Sequence, residues 1–315
     1  MFQFIIRRFL VLIPLLFAVS VVVFLILRLG PNDPAMSYLR LSQIPPTDEA
    51  LAAAREFLGL NKPLFAQYAD WLVKAVRLDF GLSYVTRRPV LNEILYYLPA
   101  TLNLAGLSLL LTLILSIPLG MWAALNKDRL PDHITRALSF FGVSMPNFWL
   151  GFMLVSIFSI WLGWLPPMGR GTPAHIIMPA VSLCLMSMSI NIRLIRASML
   201  ENLNSRSVLY ARARGLKERT VIGVHVFKNS LIPVVTAVAM HAGELLGGAV
   251  VVESIFAWPG VGRFAVSAIY NRDYPVMQCF ILFMVVIFVL CNLLVDICYA
   301  WLDPRIRLAG GGDNQ

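Results

Sequence analysis

Two ionisable side chains stand where an apolar chain has least use for them. His241 and Glu244 fall inside the hydrophobic run 233–256, three residues apart, so on a helix they share one face. Counting from Pro233 places both near the middle of a bilayer-length segment. A charge at that depth costs on the order of 3 kcal/mol and is seldom carried without a partner or a water-filled path. Imidazole with carboxylate suits a divalent transition metal, and the spacing reverses the Glu-x-x-His order of metal-binding helix bundles. Two ligands make a transient site, as a conduit requires, because a permeating ion must also leave. The competing reading is a His–Glu hydrogen bond that locks helices together, and the residues alone leave both open. Met240 points about 100° away from His241, so its sulfur is expected to pack. Met186, Met188 and Met199 are expected to fill core gaps.

A second stretch, 207–233, is basic and punctuated by glycine between two apolar regions. Its pattern predicts a short helix over 208–214, a turn that Gly215 permits, and a second helix over 220–229. Pro233 then marks the start of the next membrane span. His225 and Asn229 are expected to steady this segment and not to meet a solute. A chain that moves its cargo unaided has little reason to hold such a segment at the membrane face; one that docks a soluble motor does.

The elements that position these residues follow from composition. Of 315 residues, 58% are hydrophobic and 14% charged, against about 25% charged in soluble chains. Six runs approach the roughly 20 apolar residues needed to cross a bilayer: 9–27, 99–125, 135–164, 176–195, 233–256 and 276–301. Backbone groups in lipid must be satisfied within the element, so an all-α integral membrane protein with six transmembrane helices is predicted. The first run, domain 1–30, is an N-terminal anchor helix, because no small-x-small cleavage site follows it. Lys and Arg concentrate at one set of loops (Arg7, Arg8, Lys127, Arg129, Arg136, eight between Arg193 and Lys228, Arg305, Arg307), which puts both termini in the cytoplasm. The net charge of +9 belongs to that face and not to a nucleic-acid partner. Cys184, Cys279, Cys291 and Cys298 lie in spans without CxxC spacing and read as small apolar filler.

Residues 31–98 are expected to form an external, periplasmic helical region. Thr47 can cap a helix carrying Asp48 and Glu49 in its first turn, Leu51, Ala54 and Leu58 form its apolar face, and Gly59 stops it. A second helix starts at Pro63 with Leu64, Tyr68, Trp71, Leu72 and Ala75 at helical spacing. An interfacial lid and a platform for a binding protein are both open. Gly243, Gly247 and Gly248 predict a close helix approach in the fifth span. Glu253 is expected to be wet at the outer end, and Asp296 to brace the sixth span.

Several motifs resemble one family. The Ala211-to-Gly215 run after Tyr210, with Leu231-Ile232-Pro233, looks like the coupling loop of ABC-importer permeases, without its usual leading acid. Leu58-Gly59-Leu60 with Asp79-Phe80-Gly81, Ser144-Met145-Pro146-Asn147-Phe148-Trp149, Arg196-Ala197-Ser198-Met199-Leu200, Phe256-Ala257-Trp258-Pro259-Gly260-Val261-Gly262, Asp273-Tyr274-Pro275-Val276 and Leu302-Asp303-Pro304-Arg305-Ile306-Arg307 resemble the dipeptide/oligopeptide/nickel group of those permeases, in order along nearly the whole chain. Within the group the chain looks most like the first of the two nickel-import permeases. The resemblance implies a MetI-like permease core over 99–305 in the bacterial inner membrane, with coupling loop 207–233 and a disordered tail 306–315. Coupling would fall to Tyr210, Ala211, Ala213, Gly215, Leu216 and Pro233. Partners would be a second homologous permease, two ATPase subunits using ATP and magnesium, and a periplasmic binding protein. The chain would bind no cofactor itself, and nickel, free or chelated, would be the transported substrate, with di- or oligopeptide as the alternative cargo. No G-x-x-x-x-G-K-[ST] phosphate loop is present, so this chain is not the ATPase. A self-sufficient secondary carrier would call for inverted repeats and interrupted helices, and the sequence predicts neither; no nucleophile–base set suggests a membrane enzyme.

Overall fold

The computed structural model describes the chain from Phe2 to Leu302; the side chains of residues 2–9 and 294–302, and those of Ile232, Ala239, Ala242 and Leu246, lie outside the description. The expected roles of Asp296, Cys298 and the tail 306–315 therefore fall outside it, as does the terminal motif beyond Leu302. Among the described residues the fold is all-helical. In order come α1 (Phe2–Leu29), α2 (Pro34–Leu41), α3 (Asp48–Phe57), α4 (Leu64–Val76), α5 (Val90–Leu125), α6 (Leu130–Ser144) and α7 (Asn147–Leu154). A π-helical stretch, Val155–Trp161, extends α7, and a 3-10 turn, Pro173–Ile176, leads into α8 (Ile177–Leu203). Then follow α9 (Arg206–Ala213), the single turn α10 (Glu218–Thr220), a second π-helical stretch Val221–Phe227, α11 (Lys228–Ile255), α12 (Val261–Asn271) and α13 (Tyr274–Leu302). Among the described residues, five helices are long and apolar enough to cross a membrane, or six if one bent pair counts as a span.

The chain divides into two compact units, one of residues to Thr101 with Pro259–Leu290, the other of Leu102–Trp258 with the chain from Cys291. In the first, α3 forms as its sequence dictates. Thr47 Oγ1 accepts from Ala50 N, and Gly59 at φ +67° lets Leu60 N reach back to Arg55 O, closing the helix. Sequence reasoning missed α2, whose signal is Asp33-Pro34. The Asp33 carboxylate caps Ala35 N at 2.9 Å while pairing with Arg55 of α3 at 2.7 Å. Ala35, Leu39 and Ala54 form the small core between these helices. Tyr68 of α4 bonds Ser20 of α1 at 2.8 Å, and its ring meets Phe24 edge-on. Between the predicted spans 233–256 and 276–301 lies α12, capped where Val261 N donates to Thr101 Oγ1. Asp273 is buried; Ser83 Oγ donates to it at 2.5 Å and holds the 83–86 turn.

In the second unit the expected third span is broken. α6 and the α7 segment meet at 106°, because Pro146 forces Met145 into extended backbone (φ −89°, ψ 123°) and lacks the N–H a helix would need. Close approaches occur outside the fifth span as well. A Cβ at Gly142 would collide with Ser189 Oγ, and one at Gly120 would lie 2.7 Å from Ile195 Cβ, so α5 and α6 both press on α8. Of the fifth-span glycines, Gly248 packs toward Leu183, whereas Gly247 meets nothing within 4 Å. Glu253 is fully buried, contrary to expectation, because the turn after α11 folds over that end: Gly169 N donates to Phe256 O, and Arg170 lies over the Trp258 ring. Pro233 does not open the span; helix runs through it. Cys184 and Cys279 are buried and free, as expected of filler.

The strongest tie in this unit has no signal in the sequence. Asp132 of α6, with no exposed surface, takes a two-pronged bond from Arg196 of α8 (Nε–Oδ1 2.5 Å, Nη2–Oδ2 2.7 Å) and a third from Asp128 N at 2.9 Å. Breaking a buried pair strands the surviving charge, at about 3–5 kcal/mol. Asp132→Ala and Arg196→Ala should each lower the thermal midpoint of the purified protein sharply. The double variant should lose clearly less than the sum, and additive losses would show that the pair is not coupled.

Candidate functional site

The basic segment folds as a helix–turn–helix. α9 ends at a turn in which Gly215, at φ +75°, lets Gly215 N bond Arg212 O at 2.9 Å and Leu216 N bond Ala211 O at 3.3 Å. This six-to-one closure needs a left-handed residue at position 215. A Cβ there would meet nothing within 4 Å, so the demand is on backbone conformation and not on space. Arg212 and Glu218 clasp across the turn through two hydrogen bonds, 2.6 and 3.2 Å. Val208 and Ala211 are buried, while Leu209, Tyr210 and Leu216 are exposed. Ala213 is also open. One face of α9 is therefore fixed and the other is offered outward.

The fixed face belongs to a single apolar cluster. Val208 and Ala211 pack with Ala124 of α5, Ile195 and Met199 of α8, Val221 and Val226 of the π-helical stretch, and Val234 of α11. The predicted second helix, 220–229, exists but does not stop. It passes through the π stretch into α11, so the turn is continuous with a membrane helix. Pro233 withholds one hydrogen bond in that run, and nearby side chains satisfy carbonyls one turn upstream. Ser230 Oγ donates to Val226 O and Asn229 Nδ2 to His225 O, both at 2.8 Å. Asn202 of α8 donates to Ser230 Oγ at 3.2 Å and links the two helices. Asn229 thus steadies the segment locally, and His225 takes part through its carbonyl oxygen.

His241 and Glu244 do come together. Nδ1 and Oε2 are 2.9 Å apart, but the two differ in environment: the His241 side chain is 6% exposed and that of Glu244 63%. Nε2 of His241 is buried and has no hydrogen-bond partner among the described residues. No group of three His, Cys, Asp or Glu able to hold a metal occurs among the described residues. Met240 is largely exposed and not packed as expected. Met199 is fully buried, as core filler should be, and Met186 is exposed.

Residues 116–308 match the family of the binding-protein-dependent transport system inner membrane component, and residues 1–105 match the N-terminal region of the same kind of protein. The chain belongs to this family of inner-membrane permeases. Its relatives include the glutathione transport system permease protein GsiC of Escherichia coli (strain K12) and that of Shigella dysenteriae serotype 1 (strain Sd197). Each is 41% identical over 308 residues, covering 98% of this chain and 99% of the relative. Among solved structures, an inward-facing form of the MetNI methionine ABC transporter superposes with a TM-score of 0.57 at 16% identity, covering 67% of this chain and 96% of that one. An amino acid ABC transporter solved with histidines gives 0.54 at 12% identity, covering 66% and 93%. At such identities these two speak for the fold, a MetI-like permease. The permease is a multi-pass transport subunit of an ABC importer, and ATP hydrolysis resides in partner subunits. The broken third span, which alone would also suit a secondary carrier, is therefore a feature of an ABC permease.

Because His241 is enclosed and Glu244 is open, the two should respond differently to substitution. His241→Ala should destabilise the purified permease by about 1–3 kcal/mol, through a lost buried contact. Glu244→Gln, which can still bond Nδ1, should leave the thermal midpoint nearly unchanged. Equal destabilisation by both would mean that Glu244 is a packing residue, not an open one.

Proposed function

We propose that this permease forms one half of the membrane pathway of an importer for peptide-like solutes, with both termini in the cytoplasm. The observation that carries the cargo assignment is identity of 41% with glutathione permeases over nearly the entire length of both chains. A second, homologous permease would complete the pathway, two ATPase subunits would bind the face that bears α9, and an external binding protein would deliver cargo. Nickel, which the sequence placed first, becomes the second reading. It rests on the resemblance to a nickel-import permease and on His241 and Glu244, and Glu244 already occupies one imidazole nitrogen. A metal would need further donors from a sister subunit. In the peptide reading the open Glu244 carboxylate can instead pair with a solute's amino group.

The coupling role of Tyr210, Ala211, Ala213, Gly215, Leu216 and Pro233 is part of the same proposal. Exposed Leu209, Tyr210 and Leu216 present a surface to a motor, while buried Val208 and Ala211 connect that surface to three long helices. Cores close-packed in this way pass on displacement instead of absorbing it. Rigid-body movement of the ATPases would then shift the pathway between its two openings.

Two experiments test these points. In vesicles containing the whole complex, ATP-dependent uptake of glutathione or a dipeptide should saturate and exceed that of nickel; nickel uptake without peptide uptake would reverse the ranking. At the turn, Gly215→Val should cost about 1–2 kcal/mol of local strain and reduce uptake several-fold while ATP hydrolysis continues. Gly215→Asn, which tolerates a left-handed backbone, should keep most of the uptake. Equal uptake by the glycine, valine and asparagine forms would dismiss the turn as a coupling element.

A further inference from the structure

The unit built from residues to Thr101 and Pro259–Leu290 contains a cavity of about 560 Å³, within the range of small-molecule sites. Arg28, Tyr38, Trp71, Tyr84 and Tyr274 are among its walls. Arg28 lies in the last turn of α1, yet it does not reach away from the protein as an arginine at a membrane boundary usually does. Its Nε is buried with no partner, and its guanidinium makes no hydrogen bond or ion pair among the described residues. The Phe24 ring lies 5.4 Å from its guanidinium, and the Tyr84 and Tyr274 side chains are within electrostatic reach. A partly buried cation without a counter-charge is costly unless an anion arrives to satisfy it.

The carboxylates in the cavity wall do not fill that place. Asp70 is paired with Lys62 at 2.5 Å, Asp79 accepts from Gly81 N at 3.0 Å, and Glu56 makes no bond to Arg28. Lys74 and Arg87 also line the cavity, so cations outnumber anions there. Two further groups are unsatisfied. Trp71 Nε1 is a buried donor without a partner, and Gln67 Oε1 a buried acceptor without one. The Gln67 amide is oriented without ambiguity, since its Nε2 donates to two carbonyls, Leu60 O at 3.1 Å and Lys62 O at 2.9 Å. Burial pushes the Tyr84 phenol well up, which keeps it a neutral donor. A lone cation, spare donors, a spare acceptor and aromatic walls together describe a ligand with a carboxylate and an N–H.

We propose that this cavity binds the carboxylate end of a peptide-like solute, with Arg28 as its counter-charge and Gln67 Oε1 receiving one of its N–H groups. The choice of solute rests on the peptide-cargo reading; the existence of the site does not. On the topology proposed above, the site opens on the side where cargo arrives, so it would be a first stop before the membrane pathway.

The test is binding to the intact transporter, purified with its partner subunits in zwitterionic nanodiscs and followed by calorimetry. The probes are glutathione and its diethyl ester. Glutathione should bind, and the ester at least about tenfold more weakly, as expected for loss of a charge-assisted bond. Arg28→Gln should weaken glutathione to the level of the ester and leave the ester unchanged. Arg28→Lys should fall between, because it keeps the charge but loses the planar fork. Should Arg28→Gln lower the thermal midpoint, Trp71→Phe decides the matter: it keeps the ring, removes the spare Nε1 donor and must weaken glutathione several-fold. The proposal is overturned if acid and ester bind equally, if neither binds, or if the Arg28 and Trp71 variants bind glutathione as the parent does. It is overturned too if, in a parallel preparation in anionic nanodiscs, the lipid and not glutathione shows an Arg28-dependent interaction. Vesicles that take up nickel but no peptide would sink the cargo reading while Arg28-dependent glutathione binding stood. Peptide uptake without that binding would sink the site alone.

Discussion

Lipid offers no hydrogen bonds, and the rest of this structure depends on that constraint. Every backbone group within the hydrocarbon region has to be satisfied by the protein itself. Unbroken helix is the simplest solution, and α1, α5, α8, α11 and α13 adopt it. At several places where helix geometry is disturbed, a small polar side chain is found close by. At the Pro146 break, Ser182 of α8 donates to Asn147 O at 2.8 Å. Upstream of Pro233, Ser230 and Asn229 supply hydrogens to the preceding turn. Within α5, Ser108 and Thr112 bond carbonyls four residues back. Serine and threonine are used here as internal solvent, which lets prolines sit in membrane-length segments that would not tolerate them otherwise.

The same constraint explains why the α9 turn can matter mechanically. A loop lying freely on a membrane face could move without consequence. This one is welded by Val208 and Ala211 into a cluster shared with α5, α8 and α11. Its following helix leads without a stop into α11. Proline and π-helical stretches are the places where a helix is most readily re-angled, and both occur between the turn and His241. On the coupling proposal, displacement of α9 would reach the middle of the fifth span through covalent helix and close-packed side chains together.

What the sequence made legible divides along physical lines. Long apolar runs and local capping chemistry were clear: the spans, α3 between Thr47 and Gly59, and the turn at Gly215 all follow from residues within a few positions of one another. Hydropathy cannot register a break, because apolar residues continue on both sides of Met145-Pro146, and the Ser-Met-Pro-Asn signal there was legible only as a motif. The end of the turn was misplaced at Pro233 for a related reason: proline usually starts helices in water, but lipid and neighbouring serines tolerate it inside them. Asp132 with Arg196, and Gly142 against Ser189, join residues tens of positions apart, and no local pattern announces such pairs. Glu253 was taken for a wet residue from its place near a span's end. The turn through Phe256 and Trp258 that covers it is a tertiary fact.

Charge satisfaction then separates structure from function among the ionisable groups. Asp132 has two cations nearby and a backbone donor, no exposed surface and no spare capacity, so its work is to hold α6 to α8. His241 is half satisfied, with one nitrogen bonded and one not, while its partner Glu244 keeps most of its carboxylate open. Arg28 has aromatic neighbours but no ion pair among the described residues. The first arrangement costs a protein little and the other two progressively more, and folding gives no reason for the added cost. Transport does, since a group that is to meet a passing solute must not already be neutralised by the chain that carries it. By that measure the unsatisfied ionisable groups near the middle of α11 and at the end of α1 mark where its cargo should be felt.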